Sequence, residues 1–172
     1  MAYELHNKQA RILVLMGSDS DWDTMKKCVA TLDDFGVPCE VRVASAHRTP
    51  EKAATLASGA REWGIGVIIC AAGLAAHLAG SISAKTTLPV IGVPMAAGPL
   101  NGQDALLATV MMPPGIPVAT VGIGAAKNAA LLAIQILAVS DAELAGKLAA
   151  EKEKMVAGVD SADDKLQKKR ND

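Results

Sequence analysis

The chain has 172 residues, a length that fits a single domain. Its 17 basic and 18 acidic residues give a formal charge of −1, and only 2% of residues are aromatic, which excludes a basic or base-stacking surface for nucleic acid. Hydrophobic residues make up 51%, which excludes a disordered chain and indicates that some apolar surface is buried between the subunits of an oligomer.

Strands and helices alternate along the first half of the chain. The predicted elements are a buried strand at 11–16, a helix at 20–35, a strand at 39–44, a helix from Pro50 to about Trp63 and a strand at 67–71. Ser20, followed by an acidic residue three positions later, has the pattern of a capping box, and Gly36 is a typical helix end. Pro50 suits the first position of the second helix.

The second half continues the alternation. We expect a strand at 89–93, a helix at 101–111, a strand at 117–121, an apolar helix at 126–139, and a polar last helix that opens at Ser140 and fades into an exposed tail at 160–172. Five short strands separated by helices indicate parallel βαβ units. The predicted fold is α/β, a three-layer αβα sandwich with a flavodoxin-like parallel sheet and a C-terminal helix. It forms one domain over residues 1–172, with its core at about 10–155.

The sequence predicts a cytoplasmic protein without a membrane span. No apolar run reaches the roughly 18–20 residues that a span needs, and residues 1–10 lack the apolar core of a signal peptide. Cys28, Cys39 and Cys70 are an odd number without a CxxC pair. We therefore expect unpaired thiols in a reducing compartment rather than disulfides or zinc ligands.

Ligands of such sheets sit beyond the carboxyl ends of the strands, where the strand order reverses. The loops at 17–21, 45–50 and 72–80 follow predicted strands and are therefore the candidate site. In the first loop, Ser18 and backbone N–H groups at a helix N-terminus suit a phosphate, and Asp21 suits ribose hydroxyls. A plain turn with a helix cap is the alternative.

The other two loops carry the remaining candidates. The second holds His47 beside Arg48, an imidazole that exchanges a proton near neutral pH next to a guanidinium that binds phosphate. An exposed or structural histidine is the alternative. The third holds Gly73, which lets the backbone approach a ligand, and His77, a second polar group. Close helix–sheet packing around a hydrogen-bonded histidine is the alternative there.

Other chemistries lack their motifs. There is no P-loop and no GxSxG nucleophile elbow, and the segment at 122–127 lacks the third glycine of the dinucleotide fingerprint. The three histidines form no cluster with carboxylates, so no metal site is expected.

Three motifs taken together resemble the PurE family. They are Met-Gly-Ser-Asp-Ser-Asp-Trp at 16–22, Ser-Ala-His-Arg-Thr-Pro at 45–50 and Ala-Gly-Leu-Ala-Ala-His-Leu at 72–78. Gly-Ile-Pro at 115–117 and Asn-Ala-Ala-Leu-Leu-Ala at 128–133 resemble the family too. The likeness covers residues 10–155, and three motifs in order are more specific than any one alone.

The resemblance implies an enzyme of de novo purine synthesis that needs no metal or organic cofactor. Class I members move a carboxylate from the N5 carbamate of N5-carboxyaminoimidazole ribonucleotide (N5-CAIR) to ring carbon C4, which gives the isomer CAIR. Class II members carboxylate aminoimidazole ribonucleotide (AIR) with CO2 directly. Class I members are typically homo-octamers, and an ATP-dependent carboxylase would supply the carbamate.

Seven residues carry over by motif position. His47 resembles the catalytic histidine of the family. The substrate-binding set that the resemblance implies is Ser18, Asp21, Arg48, Ser45, Gly73 and His77. The chain departs from class I at Leu74, where a second glycine is usual, and at Ala79, where proline is usual.

Two motifs are typical of class I members, His-Arg-Thr-Pro and Ala-Ala-His-Leu. We therefore expect a mutase that converts N5-CAIR to CAIR with His47 as general acid and base. A direct AIR carboxylase and a non-catalytic module that binds a nucleotide phosphate are the alternatives.

Overall fold

The computed structural model describes residues 4–171. Its strands are β1 (Ile12–Met16), β2 (Cys39–Val43), β3 (Val67–Ala72), β4 (Val90–Pro94) and β5 (Ala119–Thr120). Its helices are α1 (Trp22–Asp34), α2 (Pro50–Gly59), α3 (Leu78–Ser83), α4 (Gln103–Val110), α5 (Ala126–Ala138) and α6 (Ala142–Asn171). The expectation for residues 1–10 falls partly on residues 1–3, which lie outside the described residues.

The five strands form one parallel sheet in the order β2-β1-β3-β4-β5. The register places Met16, at the end of β1, beside Val43 of β2 and Ala71 of β3. Helices cover both faces, so the predicted flavodoxin-like αβα sandwich is confirmed. The first four strands lie close to their predicted positions, whereas β5 has only two residues and pairs with β4 through Ala119 and Thr120.

The burial of β1 explains why the sequence runs of this sheet do not alternate between apolar and polar residues. Ile12, Val14 and Met16 pack with α1 and α5 on one face, whereas Leu13 and Leu15 pack with α2 and α3 on the other. All five side chains are buried. A strand covered on both faces has no polar side, and each such side chain contributes about 1.5–3 kcal/mol through its burial.

The strand order reverses between β1 and β3, because the chain runs outwards to β2 and then returns past β1. The loops after β1, β2 and β3 therefore meet at one edge of the sheet. The Gly17 N–H donates to the Ala71 carbonyl at 2.9 Å, and the Ala44 N–H donates to the Met16 carbonyl at 2.9 Å. The three candidate loops thus start side by side.

The beginning of α1 corrects the predicted cap. A 3-10 turn over Asp19–Asp21 precedes the helix. The cap of this turn is Ser18, whereas the sequence predicted Ser20 as the cap of the helix. The Ser18 hydroxyl accepts the Ser20 N–H at 3.3 Å, and the Asp21 carboxylate accepts the Ser18 N–H at 3.2 Å. The capping box therefore pairs Ser18 with Asp21, because the chain turns as soon as it leaves β1.

Two helices in the α2–α3 region differ from the prediction. α2 ends at Gly59 rather than near Trp63, and a Cβ placed on Gly59 would lie 2.6 Å from the Trp63 ring, so the indole folds back over the last turn. α3 occupies the end of the segment predicted as a loop at 72–80. Leu78 and Ile82 are buried one turn apart, so packing on the sheet sustains a six-residue helix that propensity alone would not.

The C-terminal segment also differs from the prediction. Residues 152–170 are exposed as expected, but the helix does not fade at 160, because α6 continues without interruption to Asn171. Asp141, rather than Ser140, caps this helix by accepting the Leu144 N–H at 3.2 Å. Across residues 4–171, no helix combines the length and apolarity that crossing a membrane requires.

Candidate active site

The turn after β1 presents a half-buried carboxylate. The Ser20 hydroxyl lies 2.9 Å from the Ser18 hydroxyl, which keeps both oxygens at the same turn. Burial raises the pKa of the Asp21 carboxyl, and the hydrogen bond from the Ser18 N–H opposes that rise. A carboxylate has about four acceptor sites, so Asp21 retains acceptors for the hydroxyls of a ligand.

The turn after β2 is fixed by its own hydroxyls and is tied to the first turn. The Ser45 N–H donates to the Thr49 hydroxyl at 2.9 Å, and the Arg48 N–H donates to the Ser45 hydroxyl at 3.1 Å. The Arg48 guanidinium donates to the Gly17 carbonyl at 3.2 Å. A guanidinium carries five N–H donors, so this single bond positions the group and leaves donors for an anion.

The two histidines of the candidate loops are in direct contact. His47 Nε2 lies 2.9 Å from His77 Nδ1, and the ring centroids are 4.9 Å apart with the planes at 65°. One nitrogen must donate and the other accept, so one proton lies between the two rings. The contact therefore lets one imidazole hold the other in place.

The loop after β3 is built of small apolar residues and touches the loop after β4. A Cβ placed on Gly73 would lie 2.9 Å from the Ala97 Cβ. Only glycine allows the two loops to approach this closely. Ala72 and Ala75 flank Gly73 and Leu74 on the same wall.

These four loops enclose a cavity of about 480 Å³, a volume typical of small-ligand sites. The structure brings all seven residues singled out from the sequence around this cavity. They are Ser18, Asp21, Ser45, His47, Arg48, Gly73 and His77.

The sequence interpretation missed one part of the cavity wall and gave no role to another. Ala97 comes from the loop after β4, which was not among the candidate loops, although that strand also ends at this edge of the sheet. Leu74 was noted only as a departure from a motif, yet it also lines the cavity. The small size of Ala97, in a loop that follows a strand, is the sequence signal that could have identified the loop after β4 as part of the site.

The cavity has a polar half and an apolar half, and the strand order explains the division. The neighbouring strands β1 and β2 end in the loops that carry Ser18, Asp21 and Arg48. The neighbouring strands β3 and β4 end in the loops that carry Leu74 and Ala97. The histidine contact joins the two halves, because His47 follows β2 and His77 follows β3.

The charged groups of the cavity define the chemistry that it can support. Arg48 can bind an anion, Asp21 can accept hydroxyl groups, and the two imidazoles can transfer a proton. Over residues 4–171, no three His, Cys, Asp or Glu side chains are grouped so that they could hold a metal ion.

Comparisons with known proteins agree with this arrangement. The family described as AIR carboxylase matches residues 11–157. An N5-carboxyaminoimidazole ribonucleotide mutase of Bacillus subtilis (strain 168) is 52% identical over 160 residues, which cover 92% of this chain and 99% of that protein. The protein of the same name from Mycobacterium tuberculosis (strain H37Rv) is 49% identical over 161 residues, or 94% of this chain and 92% of that one.

Solved structures give the same result for the fold. The crystal structure of Treponema denticola PurE has a TM-score of 0.81 and 30% identity, and the match covers 90% of this chain and 97% of that one. A variant of Treponema denticola PurE2 also gives 0.81, at 29% identity, over 90% of this chain and 96% of that one. Because the family match spans most of the chain and sequence relatives share about half of their residues with it, the chain belongs to the AIR carboxylase (PurE) family.

Proposed function

We propose that the chain is an N5-carboxyaminoimidazole ribonucleotide mutase, an isomerase that converts N5-CAIR to CAIR. The name of the relatives that are about 50% identical over nearly the whole chain supports this activity. The observation that carries the proposal is the contact between His47 and His77, at 2.9 Å, on the wall of a cavity with one polar and one apolar half. A binding module has no need of a proton-transferring pair at that position.

The reaction needs two bond changes and one proton transfer. The bond between nitrogen and the carboxyl carbon breaks, its electron pair stays on nitrogen, and CO2 is formed. Ring carbon C4 then attacks CO2, and the new carbon–carbon bond leaves C4 with both a carboxylate and a proton. His47 removes that proton, which restores the aromatic ring, and returns a proton to the nitrogen.

The remaining residues bind and orient the nucleotide in this proposal. Arg48 and Ser18 hold the phosphate, and Asp21 accepts the ribose hydroxyls. His77 holds the His47 ring and shares its proton, while Ser45 fixes the turn that carries Arg48. Gly73 lets the backbone lie against the base. Binding energy at the phosphate holds C4 in position beside His47. Confinement in the cavity gives CO2 a high effective concentration next to C4.

The proposal includes the oligomeric state of the enzyme, its cellular compartment and the source of its substrate. Leu107, Val110 and Met111, at 59%, 47% and 76% exposure on and after α4, offer an apolar surface that a homo-octamer would bury. Free thiols at Cys28, Cys39 and Cys70 suit the cytoplasm. An ATP-dependent carboxylase would supply the carbamate.

A direct AIR carboxylase is the second candidate. One observation supports it: the matching family is described as AIR carboxylase. It would use the same cavity but take CO2 from solution. The two activities differ in the origin of the carboxyl carbon.

Isotope retention distinguishes the candidates. N5-CAIR labelled at the carbamate carbon is supplied in a large excess of unlabelled bicarbonate, and the CAIR formed is isolated. We expect the label to be retained, because a mutase does not release its CO2. If the CAIR instead carries unlabelled carbon from the bicarbonate, the protein is a direct carboxylase. If folded protein forms no CAIR at all, only the binding module remains.

His47→Asn is the matched variant for the same assay. We expect it to form no CAIR while it still binds the nucleotide, because Arg48, Ser18 and Asp21 are unchanged. Loss of nucleotide binding in this variant would instead make His47 a binding or structural residue.

A further inference from the structure

Thr49 closes the turn that carries His47 and Arg48. Its N–H donates to the Ser45 carbonyl at 2.9 Å, and its hydroxyl donates to the same carbonyl at 3.2 Å. The hydroxyl also accepts the Ser45 N–H at 2.9 Å. These three hydrogen bonds join the last residue of the turn to its first, and the hydroxyl takes part in two of them.

The contacts of the Thr49 hydroxyl differ from those that its position predicts. Thr49 precedes Pro50 at the N-cap of α2, where a threonine hydroxyl normally accepts an N–H of the first helical turn. No N–H of α2, all of whose residues are described, donates to this hydroxyl. The hydroxyl therefore stabilises the turn after β2 and not the helix that follows.

The turn must hold His47 more exactly than it holds Arg48. The His47 ring contacts the ring of His77, with 2.9 Å between Nε2 and Nδ1. A hydrogen bond weakens steeply beyond about 3.2 Å, so a small shift of the turn is enough to break this contact. Arg48 has a long side chain and a second anchor at the Gly17 carbonyl, at 3.2 Å, so its guanidinium can stay in place when the backbone moves.

We propose that Thr49 is a positioning residue for the mutase reaction, because its hydroxyl holds His47 in the geometry for proton transfer. This inference rests on the proposed mutase function. Thr49 is not among the described residues that line the cavity, so it acts through the turn and not on the substrate. Loss of the hydroxyl should lower kcat, because His47 moves, and should change KM little, because Arg48 keeps its anchor.

Two substitutions at position 49 and one control separate the hydroxyl from the rest of the side chain. Thr49→Val replaces the hydroxyl with a methyl group of similar size, and Thr49→Ser keeps the hydroxyl. Thr55→Val is the control, because it removes a hydroxyl that bonds to the Glu51 carbonyl at 2.8 Å inside α2. Initial rates of CAIR formation give kcat and KM, and thermal unfolding checks the fold. If Thr49→Val does not fold, Thr49→Ala takes its place.

We expect Thr49→Val to lower kcat about tenfold, which corresponds to one lost hydrogen bond. Its KM, and both constants of Thr49→Ser and Thr55→Val, should stay within about twofold of the parent values. A kcat of Thr49→Val equal to that of the parent chain would overturn the proposal. A serine variant as slow as the valine variant would overturn it too, because the hydroxyl would then not be the group that matters.

The contact between the histidine rings gives a measurement that does not depend on turnover. The chain has three histidines, so the ring nitrogens of protein with isotopically labelled histidine can be followed individually by NMR. We expect the resonances of His47 and His77 to move in Thr49→Val and to stay in place in Thr49→Ser. Unchanged resonances in Thr49→Val would refute the positioning role. A parent chain that forms no CAIR would instead refute the mutase function, and the resonances would still show whether Thr49 holds the two rings together.

Discussion

Leu74 and Asn101 are the residues other than glycine with a positive φ between positions 4 and 171, at +55° and +50°. Asparagine adopts this conformation readily, because its short polar side chain bonds to nearby backbone. Leucine has no such compensation, and the left-handed region costs an L-residue about 1–2 kcal/mol. Position 74 therefore combines an unfavourable backbone with a favourable contact to the loop of Gly98.

This conformation predicts an inverted order of stability for two substitutions. Alanine at position 74 keeps the unfavourable backbone conformation and loses the contact. Glycine also loses the contact, but it adopts a positive φ without strain. We expect Leu74→Gly to be more stable than Leu74→Ala by about 1 kcal/mol, although glycine destabilises most other positions. Chemical denaturation of the two purified variants measures the difference.

Exposed Ser58 in α2 provides the control for this comparison. There the backbone is helical, and glycine should be less stable than alanine by about 1 kcal/mol. The same order at both positions would show that Leu74 does not hold a left-handed backbone in solution.

The sequence predicted which side chains surround the cavity better than it predicted their contacts. Chemically distinctive residues such as His47 and Arg48 were found because they follow strands, and parallel strands end at one edge. The distance between His47 and His77 could not be predicted, because it depends on the register of β1 with its neighbours. Ala97 was missed because alanine carries no chemical signal and matters here only by its small size.

At the scale of elements, length and burial decided which predictions held. β1, β3 and β4 are continuous apolar runs that end at glycine, proline or a turn, and their predicted bounds agree with the structure to within one residue. α3 was missed because six residues are too few to show a helical period. The last helix was expected to fade at about 160 but continues to Asn171, because a polar composition excludes a core position but does not exclude a helix.

The far end of α6 projects from the body of the chain, and this predicts that it can be removed. Residues 152–170 are exposed, and the family match ends at 157. We expect deletion of residues 158–172 to change the free energy of unfolding by less than about 0.5 kcal/mol, as for exposed positions in general. Denaturation with urea, together with the slope of the transition, measures this.

Leu144→Ala, at the beginning of the same helix, is the matched control. Leu144 is buried with α1 and α5, so its truncation should cost about 2–5 kcal/mol. A deletion that costs as much as this substitution would show that residues 158–172 pack against another surface. A dependence of that cost on protein concentration would identify the surface as a second copy of the chain.

At the scale of the whole molecule, the sheet separates two apolar cores, and each contains one fully buried thiol. Cys28 lies with α1 and α5, and Cys70 lies with α2 and α3. Burial raises the pKa of Cys28 from 9.0 to about 12 and raises the pKa of Cys70 as well. Cys39 is only half-buried, and burial raises its pKa to about 11.

These thiols predict that the fold loses stability in alkaline solution. Above pH 9 a cysteine of the unfolded chain releases its proton, while Cys28 and Cys70 keep theirs in the folded chain. The unfolded state then binds fewer protons, so the free energy of unfolding falls as pH rises, by up to about 1.4 kcal/mol per pH unit for each buried thiol. Below pH 9 both states are protonated, and these groups give no slope.

Denaturation at pH 8, 9 and 10 under a phosphine reductant tests both cores separately. The other titratable groups are the same in every variant, so their contributions cancel in the comparison. The free energy of unfolding of Cys28→Ala and of Cys70→Ala should therefore fall less steeply between pH 9 and 10 than that of the parent chain. The two reductions should add, because the sheet separates the residues. A variant whose slope equals that of the parent would show that its thiol reaches water in the folded state, and would place the opening in the core that holds it.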